Sequence, residues 1–320
     1  MKCKRQNILY VALATALLNG CSSEDELSQI SGPADNVVRI TASVSDLQTR
    51  SSFTESTLSE FGIGINNSKN LRYCYGNNKV TKQGDEWTPA GQMLWEKKNQ
   101  RVDIYAYAPY NSSYTGNIYQ ATDFPVTVST DQTNDTSSDF LLYKSTGFNP
   151  ETNLRNGRVP ISFKHALCKL NIKLTFKNEF GDGSLLTANP VSSVTVTGTK
   201  VKGECNFAKQ EVKASSSATA SAVTAWKESF TAQTSTTRAA AEYQCILIPQ
   251  TVASGGFTIK IKAKVGSATK EFTWTSYSDV TFSQSQCQQI NLVVGKDQVY
   301  VGGITVKGWK NSGSLGGGTF

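Results

Sequence analysis

The chain has 320 residues, with 32 Lys and Arg against 25 Asp and Glu, and its formal net charge is +7. It contains no dense run of basic residues, so it lacks the electrostatic footprint of a nucleic-acid-binding protein, and nucleic acid is excluded as a partner. The length exceeds that of a typical single domain and favours two domains.

Residues 1–20 have the three zones of a secretory signal peptide. Lys2, Lys4 and Arg5 form a positive start, and an apolar run extends from Ile8 to Leu18. This run is shorter than the ~20 apolar residues that are needed to span a bilayer. The sequence therefore predicts a signal peptide that is removed, rather than a membrane-spanning helix.

The end of this signal, Leu18-Asn19-Gly20-Cys21, resembles the lipobox of bacterial lipoproteins. The resemblance implies that the Cys21 sulfur receives a diacylglycerol, that the signal is cut before Cys21, and that the new amine is acylated. Because each buried methylene contributes ~0.8 kcal/mol, three acyl chains would hold the protein on a membrane. We expect no cofactor besides this covalent lipid. The alternative is an ordinary signal followed by a chance cysteine.

Residues 21–36 are expected to form an acidic, flexible tether. They begin with Ser22-Ser23-Glu24-Asp25-Glu26, which resembles the acidic tag that carries lipoproteins to the outer face of the outer membrane in anaerobic Gram-negative bacteria. The sequence therefore predicts an outer-membrane lipoprotein at the cell surface. A solvated tether without an export role has the same composition and stays an alternative.

Runs with period two recur along the rest of the chain, separated by Gly, Asn, Asp and Ser clusters, and they predict β-strands. No long segment has helical periodicity. We therefore predict an all-β protein with two β-sandwich domains, over 37–160 and 161–320. The predicted strands are Val37–Val44, Val102–Ala108, Cys168–Phe176, Val191–Thr197, Tyr243–Ile248, Phe257–Ala263, Lys270–Thr275, Gln289–Val294 and Val299–Val306.

Two sequence features refine this prediction. In Cys168–Phe176 the apolar positions alternate with Lys169, Asn171, Lys173 and Thr175, which predicts one buried face and one solvated face. Two tracts rich in Ser, Thr and Ala, Ala214–Ala225 and Thr231–Ala241, are expected to be surface loops or weak edge strands.

The side chains that carry chemistry give no support for an enzyme, and we predict neither a catalytic nor a metal-binding residue. The one histidine, His165, lies within a strand with no nucleophile elbow nearby, so a structural role is expected. Asp131, Asp135 and Asp139 do not match a calcium-binding loop and are expected in a solvated loop. Five tryptophans are expected to pack in cores; they are Trp87, Trp95, Trp226, Trp274 and Trp309.

Five cysteines follow Cys21, so at least one must lack a partner within the chain. No two of them are close enough in sequence to suggest a zinc pair. Cys168 and Cys245 lie in apolar strand runs and are expected to be core residues, whereas a disulfide among the five remains open. The five are Cys74, Cys168, Cys205, Cys245 and Cys287.

Four segments together resemble the fimbrillin family, the pilin subunits of type V pili. They follow the lipobox in the family's order and span most of the mature chain. The resemblance implies two transthyretin-like β-sandwich domains in tandem and gives His165 a structural place in a strand signature. The segments are Trp95 with Val102–Tyr110, Asp139–Tyr143, Val159–Leu170 and Ile304–Trp309.

The resemblance also implies how the subunit assembles. In this family an arginine-specific protease cuts the exported lipoprotein near its N-terminus, the first strand leaves, and a C-terminal strand of the next subunit fills the groove. Here the candidate removable segment is 37–50, with Val38, Ile40, Ala42 and Val44 on one face, and the resemblance implies a cut between Arg50 and Ser51. The alternative is that Arg50 is a surface arginine between strand and loop. A cut at Arg39 would leave half of the strand behind.

The donor strand is expected near 299–309. Its candidate residues are Val299, Val301, Ile304, Val306 and Trp309. Gly302-Gly303 permits a bend or a bulge within it.

The partners implied are other pilin subunits in a homo- or heteropolymer, the outer membrane before processing, the arginine-specific protease, and a host glycan or protein as an adhesion target. Two alternatives stay open. The chain is a tip or anchor subunit that does not polymerise as a stalk pilin does, or a surface glycan-binding lipoprotein of a nutrient-uptake system.

Overall fold

The computed structural model describes residues 34–45, 53–54, 56–134, 138–181 and 183–308, with side chains up to residue 306. The predicted signal peptide and Cys21, together with Arg50, Ser51 and Trp309, lie outside the described residues. No helix within the described ranges is long and apolar enough to cross a membrane.

The regular structure is almost entirely β-strand, which confirms the predicted all-β class. The strands are β1 (Ile40–Val44), β2 (Glu60–Asn66), β3 (Tyr75–Gln83), β4 (Glu86–Pro89), β5 (Val102–Ala108), β6 (Phe124–Thr127), β7 (Leu141–Phe148), β8 (Val159–His165), β9 (Cys168–Phe176), β10 (Val191–Lys200), β11 (Lys202–Asn206), β12 (Glu211–Ala214), β13 (Ala220–Thr224), β14 (Trp226–Thr231), β15 (Ala240–Leu247), β16 (Gln250–Val252), β17 (Thr258–Val265), β18 (Ala268–Thr275), β19 (Val280–Phe282), β20 (Gln286–Val294) and β21 (Val299–Gly308). One short helix, α1 (Pro150–Asn153), and 3-10 turns at Leu71–Tyr73, Ile118–Gln120 and Asn178–Gly181 complete the described elements.

Seven N-terminal strands form a closed ring in the order β1-β4-β3-β2-β5-β7-β8. Alternate side chains of these strands point inward, as period-two patterning requires. They enclose one apolar core in which Ile40, Phe61, Ile104 and Phe163 are fully buried. We call this ring the barrel.

The C-terminal strands form a sandwich. A four-stranded sheet (β13-β10-β17-β18) and a five-stranded sheet (β14-β15-β9-β20-β21) bury a common core. Val194 and Ile261 of the first sheet and Ile172 and Ile290 of the second have no exposed surface. Two smaller sheets, β12-β11-β6 and β16-β19, complete the architecture.

The barrel and the sandwich are joined through β6, which follows the barrel strand β5 in sequence but pairs with β11. Its Phe124 packs against Tyr107 of β5, with ring centroids 4.7 Å apart. The predicted domain boundary between 160 and 161 falls inside β8, which pairs with β1 and β7. The barrel therefore extends to His165.

The predicted strands Val102–Ala108 and Cys168–Phe176 coincide with β5 and β9. The solvated face expected for the latter is wrong at two positions, because Lys169 and Asn171 are only 4% and 7% exposed. Gln244 lies directly opposite Asn171 on the adjacent strand, and Trp226 lies opposite Gln244. Both neighbours are buried, so this face of the sheet is shielded from solvent.

Cys168, Cys245 and the described tryptophans lie in cores as expected. Cys205 is fully buried as well, and burial raises the pKa of its thiol to about 12. Cys74 and Cys287 are half-buried. Each described tryptophan is at most 7% exposed. The Ala214–Ala225 tract contains β13, an edge strand of the four-stranded sheet, and most of Thr231–Ala241 connects β14 to β15.

Candidate functional site: the first and last strands

The strand β1 closes the barrel. It pairs in parallel with β8 over five positions, from Ile40 opposite Val159 to Val44 opposite Phe163. On its other side it meets β4 at one position, where Ile40 lies opposite Trp87. The segment just before β1 continues this seam, since the Val38 amide donates to the Met93 carbonyl at 2.9 Å.

One face of β1 and of the residue pair before it is apolar and turned into the barrel. Val38 and Ile40 are 2% and 0% exposed. Ala42 and Val44 are half-buried and pack against the same core. Burying a Val or Ile side chain contributes about 1.5–3 kcal/mol, so this face holds β1 in place. The four residues that the sequence places on one face thus share one environment.

Aromatic side chains lie next to β1 where it meets β4 and β8. The Phe61 ring contacts both Trp87 of β4 and Phe163 of β8, with centroids 5.1 Å and 5.2 Å away. Because Ile40 lies opposite Trp87 and Val44 opposite Phe163, β1 covers this cluster. A barrel without β1 would expose an apolar trough bordered by two strand edges.

The described chain is attached to the barrel on both sides of residues 46–52, which lie outside the described residues. Ser45 binds the Phe163 carbonyl through its amide at 2.9 Å and its hydroxyl at 2.7 Å. Downstream, the Phe53 amide donates to Oδ2 of Asp139 at 3.1 Å, and its ring packs against the barrel core. Arg50 and Ser51 fall between these two attachments, which leave the chain fixed on either side of them.

Arg39 lies in the paired part of the seam. Its carbonyl accepts a hydrogen bond from the Val159 amide at 2.8 Å, and its guanidinium makes two bonds of 2.8 Å with Asp35. The hydrogen bond from Arg39 holds the pKa of the Asp35 carboxyl at about 2. The peptide after Arg39 is therefore part of the β1–β8 ladder rather than of an open loop.

The strand β21 is an edge strand, paired only with β20 among the described strands. Directly opposite residues of an antiparallel pair share a face of the sheet. Here Val301 lies opposite Leu292 and Ile304 opposite Ile290, whose side chains are fully buried. The side chains of β21 on that same face are not buried, since Val301, Ile304 and Val306 are 48%, 44% and 53% exposed.

A β-bulge places the apolar side chains of β21 on one face of the strand. The register shifts between Asn291 and Leu292, so Gly302 is the extra residue and Gly303 adopts a φ of 147°. Without the shift, Ile304 and Val306 would point to the face opposite Val299 and Val301. The predicted bulge at Gly302-Gly303 is observed, and it aligns four apolar residues on one face.

The start of β21 is held more firmly than the rest. Val299 is half-buried against the sandwich core. Tyr300, on the other face, lies under the Lys177 ammonium, which is 4.3 Å from the ring centroid. The exposed apolar part of the strand therefore begins after this attachment.

His165 and Asp139 form a buried pair with structural partners. Nδ1 of His165 lies 2.7 Å from Oδ2 of Asp139, and the other carboxylate oxygen accepts the Phe140 amide. The nearby Ser285 hydroxyl donates to the His165 carbonyl rather than to the imidazole. The solvated loop expected for Asp139 is wrong, since this residue is 2% exposed, whereas Asp131 is exposed. Among the described residues no cluster could hold a metal ion.

Comparison with known proteins gives a family and a fold. A family model described as fimbrillin-like matches residues 48–309. No curated protein matches the sequence.

Three solved structures have similar folds. A candidate cell adhesion protein from Bacteroides uniformis has a TM-score of 0.60 at 16% identity, covering 86% of this chain and 99% of its own. A second from Bacteroides ovatus gives 0.59 at 17% identity, with 87% and 99% covered. A fimbrial protein from Bacteroides vulgatus gives 0.54 at 18% identity, with 86% and 100% covered.

Proposed function

Because the chain belongs to the fimbrillin-like family, we propose that it is a structural subunit of a cell-surface fimbrium that assembles by strand exchange. In this proposal β1 is a temporary plug of the barrel. After a cut between Arg50 and Ser51, β1 leaves, and β21 of another subunit takes its place between β4 and β8.

The observation that carries this proposal is the exposure of β21. Three of its apolar side chains lie on the face of the sheet that is buried in the neighbouring strand, yet about half of each is exposed. An exposed apolar edge strand is a liability that proteins normally avoid. A strand that is destined for a groove in a second copy removes that liability on assembly.

The two strands are matched in pattern. In β1 and the residues just before it, Val38, Ile40, Ala42 and Val44 point into the barrel. In β21 the bulge likewise places four apolar residues on one face. Strand addition uses the backbone for strength and alternate side chains for register, so a donor needs such a pattern.

The lipid on Cys21 would act as a transport handle. It holds the precursor on the outer membrane, and a cut after Arg50 removes the lipid anchor and the plug strand in one step. The processed subunit is then attached to the surface only through the polymer, which supports adhesion to a host glycan or protein.

Digestion of the purified chain with an arginine-specific protease tests the proposal. We expect a ladder of polymers on gels after the cut, and no ladder from a chain that lacks residues 299–320. Cleavage without polymers, or an unchanged ladder from the shortened chain, would contradict strand exchange.

Mass spectrometry of the mature N-terminus from cells tests the processing step. We expect surface fimbriae to contain chains that begin at Ser51. Assembled chains that retain an acylated Cys21 would instead identify an anchor subunit.

A further inference from the structure

A second site lies on the outside of the barrel, where β7 and β8 diverge. These neighbouring strands pair at only two positions, Leu141 with His165 and Leu142 with Lys164. Beyond them the strands separate and leave a cleft of about 620 Å³. Gln210, from the turn between β11 and β12, closes one side, so the cleft lies at the junction of barrel and sandwich.

The volume and the location are those of a ligand site. Ligand pockets are typically ~300–1,000 Å³ and often lie where two structural units meet. The lining extends along β7 from Leu142 to Thr146 and along β8 from Ser162 to Lys164. With ~3.4 Å per strand residue, this length accommodates one or two sugar rings rather than a long peptide.

The lining is cationic. Lys144 and Lys164 both contribute to it, and no carboxylate lines the cleft among the described residues. Lys144 is fixed in position, because its ammonium donates to the Ala208 carbonyl at 2.6 Å and lies 5.6 Å from the Tyr105 ring centroid. Lys164 is exposed on the opposite strand. Two lysine side chains along one cleft that has no carboxylate in its described lining favour an anion there.

The rest of the lining suits a polyhydroxylated ligand. Thr146 and Ser162 supply hydroxyl groups, and Gln210 supplies an amide. β7 pairs with β5 and β8 pairs with β1 on their outer sides. Across the seam between them the two strands pair only at Leu142 with Lys164 and Leu141 with His165, so backbone groups that point into the seam beyond these positions face the cleft. Hydroxyl, amide and backbone groups are the partners that orient polar ligands in specific pockets.

We propose that this cleft binds an acidic saccharide, with Lys164 and Lys144 recognising its carboxylate or sulfate group. The hydroxyls of Thr146 and Ser162 and the backbone groups that point into the seam bind the sugar ring. The cleft lies across the β7–β8 seam, and it is present before any cut. Binding can therefore be measured on the uncut chain.

Calorimetric titration of the uncut chain tests this assignment. The probes are 3′-sialyllactose, which carries a carboxylate, 3′-sulfolactose, which carries a sulfate, and neutral lactose. We expect one or both acidic sugars to bind and lactose to bind at least tenfold more weakly. Equal binding of lactose, or no binding of either acidic sugar at millimolar concentration, overturns the proposal.

Substitutions identify the site. Lys164→Gln is expected to weaken binding of the acidic sugar about tenfold, since one charge-assisted hydrogen bond is lost, and Ser162→Ala about threefold. Lys264→Gln, at an exposed lysine on β17, is the matched control and should change nothing. Unchanged binding by Lys164→Gln overturns the proposal. A Glu-rich hexapeptide that binds as tightly as the sugars overturns the assignment to a saccharide.

Discussion

Nδ1 of His165 lies 2.7 Å from Oδ2 of Asp139, and neither side chain is more than 3% exposed. The same carboxylate oxygen accepts the amide of Phe53, the first described residue after the predicted cut. One buried pair thus holds both the end of β8 and the start of the processed chain. Because β8 pairs with β7 at only two positions, this pair is expected to keep β8 in place once β1 has left.

Asp139→Ala is therefore expected to destabilise the chain by about 3 kcal/mol, because it leaves His165 and the Phe53 amide without their buried partner. Urea unfolding of the uncut protein measures the change. Asp85→Ala, at an exposed acid between β3 and β4, is the control and should stay within about 0.5 kcal/mol of the parent. Equal changes in the free energy of unfolding for the two substitutions would contradict a stabilising role of the His165–Asp139 pair.

Arg50→Ala is expected to abolish the release of β1 and the formation of polymers, whereas Arg39→Ala should leave both intact. The reason is that Arg39 lies in a hydrogen-bonded ladder, while Arg50 falls between two fixed points of the chain. Digestion followed by gels and N-terminal mass spectrometry distinguishes the two variants. Normal processing of Arg50→Ala would place the cut elsewhere.

Ile304→Asp is expected to prevent polymers, because a charge on the apolar face of the donor strand cannot enter the groove of the next subunit. Thr305→Asp places the same charge on the opposite face of β21 and should still allow polymers to form. Both positions are exposed in the monomer, so neither change should alter monomer stability by more than about 0.5 kcal/mol. Equal loss of polymers from both variants would argue against a face-specific donor.

Ile40→Ala is expected to destabilise the uncut chain by about 3 kcal/mol, since it opens a cavity at a fully buried position. Thr41→Ala, at an exposed position of the same strand, should have little effect. The Ile40 substitution should leave the stability of assembled polymers unchanged, because β1 is absent from them. Thermal unfolding before and after assembly measures both values, and a polymer destabilised by Ile40→Ala would show that β1 had stayed.

Sequence patterns predict the parts of this fold that depend on local alternation. β5 and β9 were predictable because five or more residues alternate with period two, and the Gly302-Gly303 bulge because two glycines interrupt an apolar strand. The choice of strand partners is not local. The parallel pairing of β1 with β8 joins residues more than 100 positions apart, and no pattern within either strand indicates it.

The errors have the same origin. The alternation of polar and apolar residues predicts solvent exposure for Lys169 and Asn171, but burial depends on neighbouring strands that the pattern does not identify. The solvent exposure predicted for Asp139 is wrong because its buried partner, His165, lies 26 residues later on β8, outside the local pattern. Both residues of that pair occur in segments that resemble the fimbrillin family. This resemblance is the one sequence signal that links the two segments.

The central claim is that β21 of one subunit occupies the place of β1 in another. A photo-reactive benzoylphenylalanine at Ile304, in polymers formed from mixed light and heavy isotope-labelled chains, tests it most directly. We predict cross-links from this position to peptides of the neighbouring subunit that contain Trp87 of β4 or Phe163 of β8. Cross-links confined to β20 of the same chain would contradict the claim.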